Sequence, residues 1–276
     1  MQTEYWRNDV KYCAEATVFL LRETNAVLIC DVEVPSGTGA IVSLILVLLA
    51  CAGLPARDLP KSDGPANAAT RSVHDEAVRI LGGIQTTEYR HKTDIDEKKG
   101  AFYCDCSGFV GYVLNRTVAK DERKGLFGNG DQRPLAMDYE KGFAKAPERI
   151  ERGARWQHVL RVADARPGDV IAWRHEKPLP GNTGHVVIVD LAPVVEKDGL
   201  VRVGVIDSTT LPSTDITDDK GKNGIGRRAM WFTVDQEGQA RGYVRGSRSA
   251  KPKVEEISIG RALPASQKRS GTRRAA

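Results

Sequence analysis

The sequence predicts an α+β fold in which N-terminal helices pack on an antiparallel β-sheet. Two observations support this class. Apolar residues first recur at helical spacing, and from Asp169 onward they form short runs rich in β-branched and aromatic residues. Helices followed by a series of strands favour α+β over alternating α/β. With 276 residues, 41% hydrophobic and 28% charged, the chain can bury a substantial core and is not typical of a disordered protein.

The N-terminal part contains an apolar segment that resembles an export signal. Residues 39–52 belong to a nearly continuous apolar run that is short for a membrane span. Leu48-Leu49-Ala50-Cys51 resembles the bacterial lipoprotein signal, in which Cys51 would be lipidated. Ala50-Cys51-Ala52 also fits ordinary signal cleavage, and a buried helix or an uncleaved anchor is the structural alternative. Because a signal begins with a short basic stretch, we expect residues 1–38 to be a spurious extension or to precede the true start.

A linker, one domain and a basic tail are predicted to follow. Residues 53–70 are rich in Pro, Gly, Ala and Asp, which is typical of a linker. The domain is predicted over residues 71–264, and residues 265–276 are predicted to be a disordered basic tail. Residues 241–276 contain ten Lys or Arg and two Glu, a net charge of +8, whereas the net charge of the whole chain is +5. Since no nucleic-acid motif accompanies this local charge, no nucleic acid is expected as a partner.

The domain is predicted to contain two clear helices and then at least five strands. A helical pattern opens at Ser72 and stops at Gly82-Gly83, and a second covers Ser107–Val118. Residues 121–162 are charged and weakly patterned, which indicates an insertion of loop and short helix. The strands are predicted at residues 169–173, 185–195, 200–207, 228–235 and 241–245.

The pentapeptide Asp105-Cys106-Ser107-Gly108-Phe109 opens the second helix. A thiol at a helix N-terminus meets the positive end of the macrodipole and free backbone N–H groups, and both favour the nucleophilic thiolate. Small Ser107 and Gly108 would leave room for a substrate. Cys106 is therefore the candidate nucleophile, with an inert buried thiol as the alternative. Cys104 is interpreted as structural.

A cysteine nucleophile needs a base and a group that orients the base. His185 begins a predicted strand after a Gly-containing turn, and Asp207 stands at the end of the next strand. Because adjacent antiparallel strands place the start of one beside the end of the other, Asp207 is expected to hold the ring of His185. The sequence therefore predicts a Cys106–His185–Asp207 triad.

The motifs DCSGF, RPGDVIAW, GHVVIV and VIDST together resemble the NlpC-like family of papain-fold cysteine peptidases, which cut amide bonds in peptidoglycan stem peptides. GDVIAW and GHVVIVD resemble the related CHAP amidases nearly as well. The resemblance covers about Ser72 to Leu263. It implies a papain-like fold, with Asp207 at a position where the family often has a His. It also implies that Tyr89, or alternatively Tyr103, lies on the oxyanion side together with Ser107.

The expected function is that of an exported cysteine hydrolase of the cell envelope, acting on peptidoglycan or a peptide. It is expected to be held at a membrane by a lipid anchor or an uncleaved apolar segment. The chemistry requires no metal and no organic cofactor. Two alternatives from other classes are a catalytically silent envelope-binding module and a thiol acyltransferase on the same fold.

Overall fold

A computed structural model describes residues 5–7, 10–12, 64–120, 123, 133–211, 223–246 and 250–264. The chain divides into two compact units, Met1–Arg57 and Asp58–Ala276. In the first unit, strand β1 (Tyr5–Arg7) pairs antiparallel with β2 (Val10–Tyr12). The predicted signal segment 39–52 and the predicted tail 265–276 lie outside the described residues.

The second unit contains three α-helices within its described part. They are α1 (Ala68–Gly83), α2 (Cys106–Thr117) and α3 (Ala136–Lys145). Helix α1 begins before the predicted Ser72 because the Asn67 side chain accepts hydrogen bonds from the N–H groups of Ala69 and Thr70 and so caps the helix. Among the described residues, no helix has the length and apolar character needed to span a membrane.

The described part of this unit also contains two sheets. The small sheet contains β3 (Thr86–Glu88), β4 (Asp94–Asp96) and β5 (Ala101–Tyr103) in the order β3-β5-β4, with β3 and β5 parallel. The strands of the large sheet are β6 (Trp156–His158), β7 (Val170–Leu179), β8 (Asn182–Val195), β9 (Val201–Thr209), β10 (Gly224–Val234), β11 (Ala240–Arg245), β12 (Lys253–Val254) and β13 (Glu256–Ala262). Their order is β12-β11-β10-β9-β8-β7-β13-β6, and every neighbouring pair is antiparallel.

Both faces of the large sheet are buried. Alternate residues point to opposite faces of a strand, so Val186 and Ile188 pack with the helices while Val187 and Val189 join a second core. That second core includes the rings of Trp173 on β7 and Tyr243 on β11, whose centroids are 4.3 Å apart. Four strand spacings separate β7 from β11, about 19 Å in a flat sheet. The sheet is therefore strongly curled around its second core.

The prediction of a papain-like fold is wrong. The described part of the chain is dominated by the eight-stranded antiparallel sheet with three α-helices, and lacks the helix-rich papain-like arrangement. The error has a physical cause. Several strands have only two to seven residues, and most of them are too short to show the alternation of apolar and polar residues that predicts a strand. They lie in residues 86–103, 156–158 and 253–262. The sheet also buries its second face against itself, so it needs fewer helices to cover it.

Candidate active site

Cys106 is the first residue of α2, directly after the cap residue Asp105. The Asp105 side chain accepts a hydrogen bond from Gly108 N at 2.7 Å, and its carbonyl oxygen accepts one from Phe109 N at 3.0 Å. The N–H groups of Cys106 and Ser107 therefore precede the first intrahelical bond. The Cys106 residue is 5% exposed. The helix dipole and the free N–H groups both favour negative charge at this position.

His185 and Asp207 lie together beside Cys106. His185 Nε2 is 2.6 Å from Asp207 Oδ2, and the two residues are 5% and 0% exposed. Cys106 lies close enough to the His185 side chain to raise the pKa of the imidazole. Because Asp207 occupies Nε2, the ring nitrogen left for Cys106 is Nδ1. The Trp173 ring packs against the imidazole at a tilt of 48° with centroids 5.1 Å apart, so ring packing as well as hydrogen bonding holds the imidazole.

The electrostatics favour a charged imidazole. Burial opposes the charge, but the Cys106 charge and the hydrogen bonds to Asp207 and Cys106 outweigh it and raise the pKa of His185 to about 8. For Asp207, burial likewise opposes ionisation, and the nearby Arg228 and His185 overcome it and lower the pKa of the carboxyl group. The imidazolium of His185 thus lies between the carboxylate of Asp207 and the sulfur atom of Cys106.

A fourth charged side chain adjoins this group and was missed by the sequence analysis. Arg228, 2% exposed, places Nη1 at 2.7 Å from Asp207 Oδ1. It is the first residue of the predicted strand 228–235, and nothing in the sequence indicated that its side chain faces inward. The register could have indicated it, because Arg228 pairs with Val205 of β9, two residues from Asp207.

A second missed arginine reaches the helix start from the predicted insertion 121–162. Arg133 pairs with both carboxylate oxygens of Asp105, with Nη1 at 2.6 Å from Oδ1 and Nη2 at 2.9 Å from Oδ2. A Cβ on Gly108 would lie 2.7 Å from Arg133 Nη1 and 2.5 Å from Thr93 Oγ1. The glycine of the DCSGF motif therefore makes room for this ion pair. No local pattern in the sequence links Arg133 to Asp105.

The other predicted site residues are placed as follows. Tyr89 is half-buried, and burial together with the Cys106 charge raises its pKa to about 12, so its phenol stays neutral. The Ser107 hydroxyl donates to Asp105 Oδ1 at 3.1 Å. Tyr103 lies on the small sheet with the Arg90 guanidinium above its ring. Cys51, the predicted lipidation site, lies outside the described residues.

Cys104 differs from Cys106 although it is only two residues away. It is fully buried, and burial raises the pKa of its thiol to about 12. Its carbonyl oxygen accepts a hydrogen bond from Ser208 Oγ at 2.6 Å. A neutral buried thiol is not nucleophilic. Within the part of the chain that the structure describes, no group of His, Cys, Asp and Glu side chains is arranged to hold a metal ion.

Comparison with known proteins leaves the family of this chain open. No family model and no solved structure matches it. The chain is similar to a protein described as "Uncharacterized protein R653" of Acanthamoeba polyphaga mimivirus, with 25% identity over 186 residues, covering 57% of this chain and 76% of the viral protein. Membership of the NlpC-like or CHAP groups therefore stays a prediction based on the motifs.

Proposed function

We propose that this protein is a cysteine hydrolase that cleaves amide bonds, with Cys106 as nucleophile, His185 as base and Asp207 as the group that orients the base. One observation carries the proposal: His185 bonds to Asp207 through Nε2 at 2.6 Å and lies beside Cys106 at the N-terminus of α2, where the Cys106 charge raises the pKa of the imidazole. A nucleophile, a base and an orienting carboxylate in contact are the arrangement that covalent catalysis requires.

The proposed reaction proceeds through a thioester. Cys106 Sγ attacks the carbonyl carbon and forms an S–C bond, and the carbonyl oxygen becomes an oxyanion facing the N–H groups at the start of α2. As the C–N bond breaks, the His185 imidazolium gives its proton to the leaving amine. A water molecule then gives a proton to His185 while its oxygen attacks the thioester. The C–S bond breaks, and a carboxylic acid product leaves.

Tyr89 is proposed to assist on the oxyanion side. Its phenol is protonated at neutral pH because burial and the neighbouring Cys106 and Asp105 charges raise its pKa to about 12. A neutral phenol can donate a hydrogen bond to a developing oxyanion, whereas a phenolate cannot. Ser107 is assigned a role through its backbone N–H, because its hydroxyl already donates to Asp105.

The substrate class and the location rest on sequence resemblance alone. DCSGF and GHVVIV resemble the motifs of enzymes that cut peptidoglycan stem peptides, so we propose such a peptide as the substrate. We likewise propose that the protein is exported to the cell envelope and anchored through Cys51 or the apolar segment 39–52. The proposed chemistry uses only the side chains and backbone groups of this chain.

The experiment compares the full-length protein with Cys106→Ala and Cys104→Ala. Each is incubated with peptidoglycan and with a γ-D-glutamyl-diaminopimelate stem peptide, and the products are analysed by mass spectrometry. We expect cleavage by the wild type and by Cys104→Ala, and none by Cys106→Ala. Cys104→Ala is the matched control because it removes the neighbouring, unreactive thiol.

Three results would count against the proposal in different ways. Cleavage that survives in Cys106→Ala would overturn the assignment of the nucleophile. A product in which the acyl group is joined to an added amine instead of water would indicate a transferase. No cleavage, together with a Cys106 that alkylates no faster than an ordinary thiol, would indicate a silent binding module.

A further inference from the structure

Polar side chains continue across the large sheet beyond His185 and Asp207. Val189 of β8 lies opposite Val205 of β9, and Val205 lies opposite Arg228 of β10. His185 is four residues before Val189, and Asp207 is two residues after Val205. Even spacings keep side chains on one face of a sheet, so His185, Asp207 and Arg228 share a face across three neighbouring strands.

The two oxygen atoms of the Asp207 carboxylate are divided between two partners. Oδ2 accepts from His185 Nε2 at 2.6 Å, and Oδ1 accepts from Arg228 Nη1 at 2.7 Å. The same arginine also donates to backbone oxygens around it. Nη1 donates to Gly226 O at 3.1 Å, and Nη2 donates to Gly224 O and Leu211 O, both at 3.2 Å.

We propose that Arg228 is a positioning residue that fixes the Asp207 carboxylate so that it can hold His185 in the orientation needed to act on Cys106. This inference rests on the proposed function. The hydrogen bonds of the Arg228 side chain go to Asp207 and to backbone oxygens, so Arg228 would act on His185 through Asp207. The carbonyl oxygens of Leu211 and Gly224 fix the guanidinium, which in turn fixes the carboxylate.

The physical reason is the burial of Asp207. Asp207 is fully buried, and a buried carboxylate without a partner cation takes up a proton. A protonated Asp207 would no longer stabilise an imidazolium at His185. The charged or titratable groups that act on Asp207 are His185 from β8, Arg228 from β10 and Arg245 from β11, and Cys106 faces His185 from α2. Arg228 and His185 both contact Asp207 directly, and of the two Arg228 is the partner that takes no part in the proposed proton transfer.

The alternative is that Arg228 only stabilises the fold. The two roles differ in how substitutions combine. If Arg228 acts through Asp207, its loss should matter little once the Asp207 carboxylate is gone. If it serves only the fold, its effect should be the same whether or not Asp207 is intact.

The test measures alkylation of Cys106 by iodoacetamide in the full-length protein, which requires no known substrate. Peptide mass spectrometry separates Cys106 from the other thiols, and circular dichroism checks folding. The variants are Asp207→Asn, Arg228→Met, Arg228→Lys and the double variant Asp207→Asn/Arg228→Met. At about pH 6 we expect Arg228→Met to slow alkylation about tenfold. This is the effect of moving the pH–rate profile of alkylation about one unit toward higher pH, measured on its acid limb.

Arg228→Lys keeps a cationic side chain but loses the paired N–H donors of the guanidinium group, so we expect a smaller decrease in the alkylation rate. The double variant should alkylate no more slowly than Asp207→Asn alone. The proposal would be overturned if the fold-decrease in alkylation rate of the double variant equalled the product of the two single fold-decreases. It would also be overturned if a folded Arg228→Met protein were alkylated as fast as the wild type. If Arg228→Met does not fold, the same comparison is made with Arg228→Lys in the wild-type and Asp207→Asn backgrounds.

This result is independent of the substrate. If the wild type cleaves neither peptidoglycan nor the stem peptide although Cys106 is rapidly alkylated, the proposed substrate is wrong. The alkylation rates of the variants then still decide the role of Arg228. A wild-type Cys106 that reacts no faster than an ordinary thiol would overturn both proposals.

Discussion

At the scale of single residues, the site depends on charges that are buried but compensated. Asp207 is paired with Arg228, and Asp105 beside the nucleophile is paired with Arg133. Each carboxylate would otherwise oppose negative charge at Cys106 or take up a proton itself. At Cys104, burial outweighs the effect of the nearby Arg133 and leaves the thiol neutral, with a pKa raised to about 12. The partners of each group, more than its residue type, decide its chemistry.

The protonation of His185 predicts a pH dependence of stability. Its folded pKa is raised to about 8 from 6.5, so between these values the folded protein holds a proton that the unfolded chain has lost. This contribution is complete below about pH 6.5 and is lost as the pH rises through about 8, for a total of about 2 kcal/mol. Urea unfolding at a series of pH values should show it in the wild type.

The control for this prediction is His185→Asn, which keeps the other histidines, including His74 with its own raised pKa. The difference in unfolding free energy between wild type and variant should shrink as the pH rises. A difference that stays constant from about pH 6 to pH 9 would contradict the assignment of the proton to His185.

The three residues of the proposed triad could be predicted from the sequence, but their supporting residues could not. Cys106 stands near the start of a predicted helix, and His185 and Asp207 stand at the start and the end of predicted strands, where spacing and residue type are informative. Arg228 and Arg133 reach the site through strand register and through an insertion, which depend on the folded arrangement. An arginine within a strand pattern has no local property that distinguishes a buried ion pair from a solvated side chain.

At the scale of elements, the glycine that precedes His185 within β8 places this residue. Gly184 adopts φ +146°, and a Cβ at this position would lie 1.9 Å from Trp173 O on the neighbouring strand. Trp173 also lies opposite His185 in the register of β7 and β8. The glycine before His185 therefore allows the two strands to approach each other where the imidazole is held.

Gly184→Ala should therefore disturb both stability and the site. We expect a loss of about 3 kcal/mol in the free energy of unfolding, from backbone strain and overpacking, with slower alkylation of Cys106. Gly181→Ala is the matched control, since Gly181 also has positive φ, at +77°, but has nothing within 4 Å of an added Cβ. It should cost about 1 kcal/mol and leave alkylation unchanged. Equal effects of the two substitutions would refute the role given to Gly184.

At the scale of the whole molecule, the curl of the large sheet joins distant parts of the chain to the site. The predicted strands from residues 169–173 to 241–245 could be recognised in the sequence because β-branched and aromatic residues are concentrated there between turn residues. The curl was not visible, because it arises from packing between strands far apart in the sheet. Trp173 and Tyr243 meet only in the folded protein, and Trp173 in turn supports the ring of His185.

Tyr243→Ala tests this connection. Tyr243 is 4% exposed and fills the second core against Trp173, so we expect a loss of about 3–5 kcal/mol in the free energy of unfolding. Because the freed Trp173 no longer holds the imidazole firmly, alkylation of Cys106 should also slow. Tyr243→Phe keeps the ring and should retain the reactivity of Cys106.

Phe143→Ala opens a comparable cavity in the core between the sheet and the helices, away from Trp173. If Phe143→Ala slowed alkylation as much as Tyr243→Ala at equal loss of stability, the effect would be general loosening of the fold, and the curled sheet would have no specific part in holding His185.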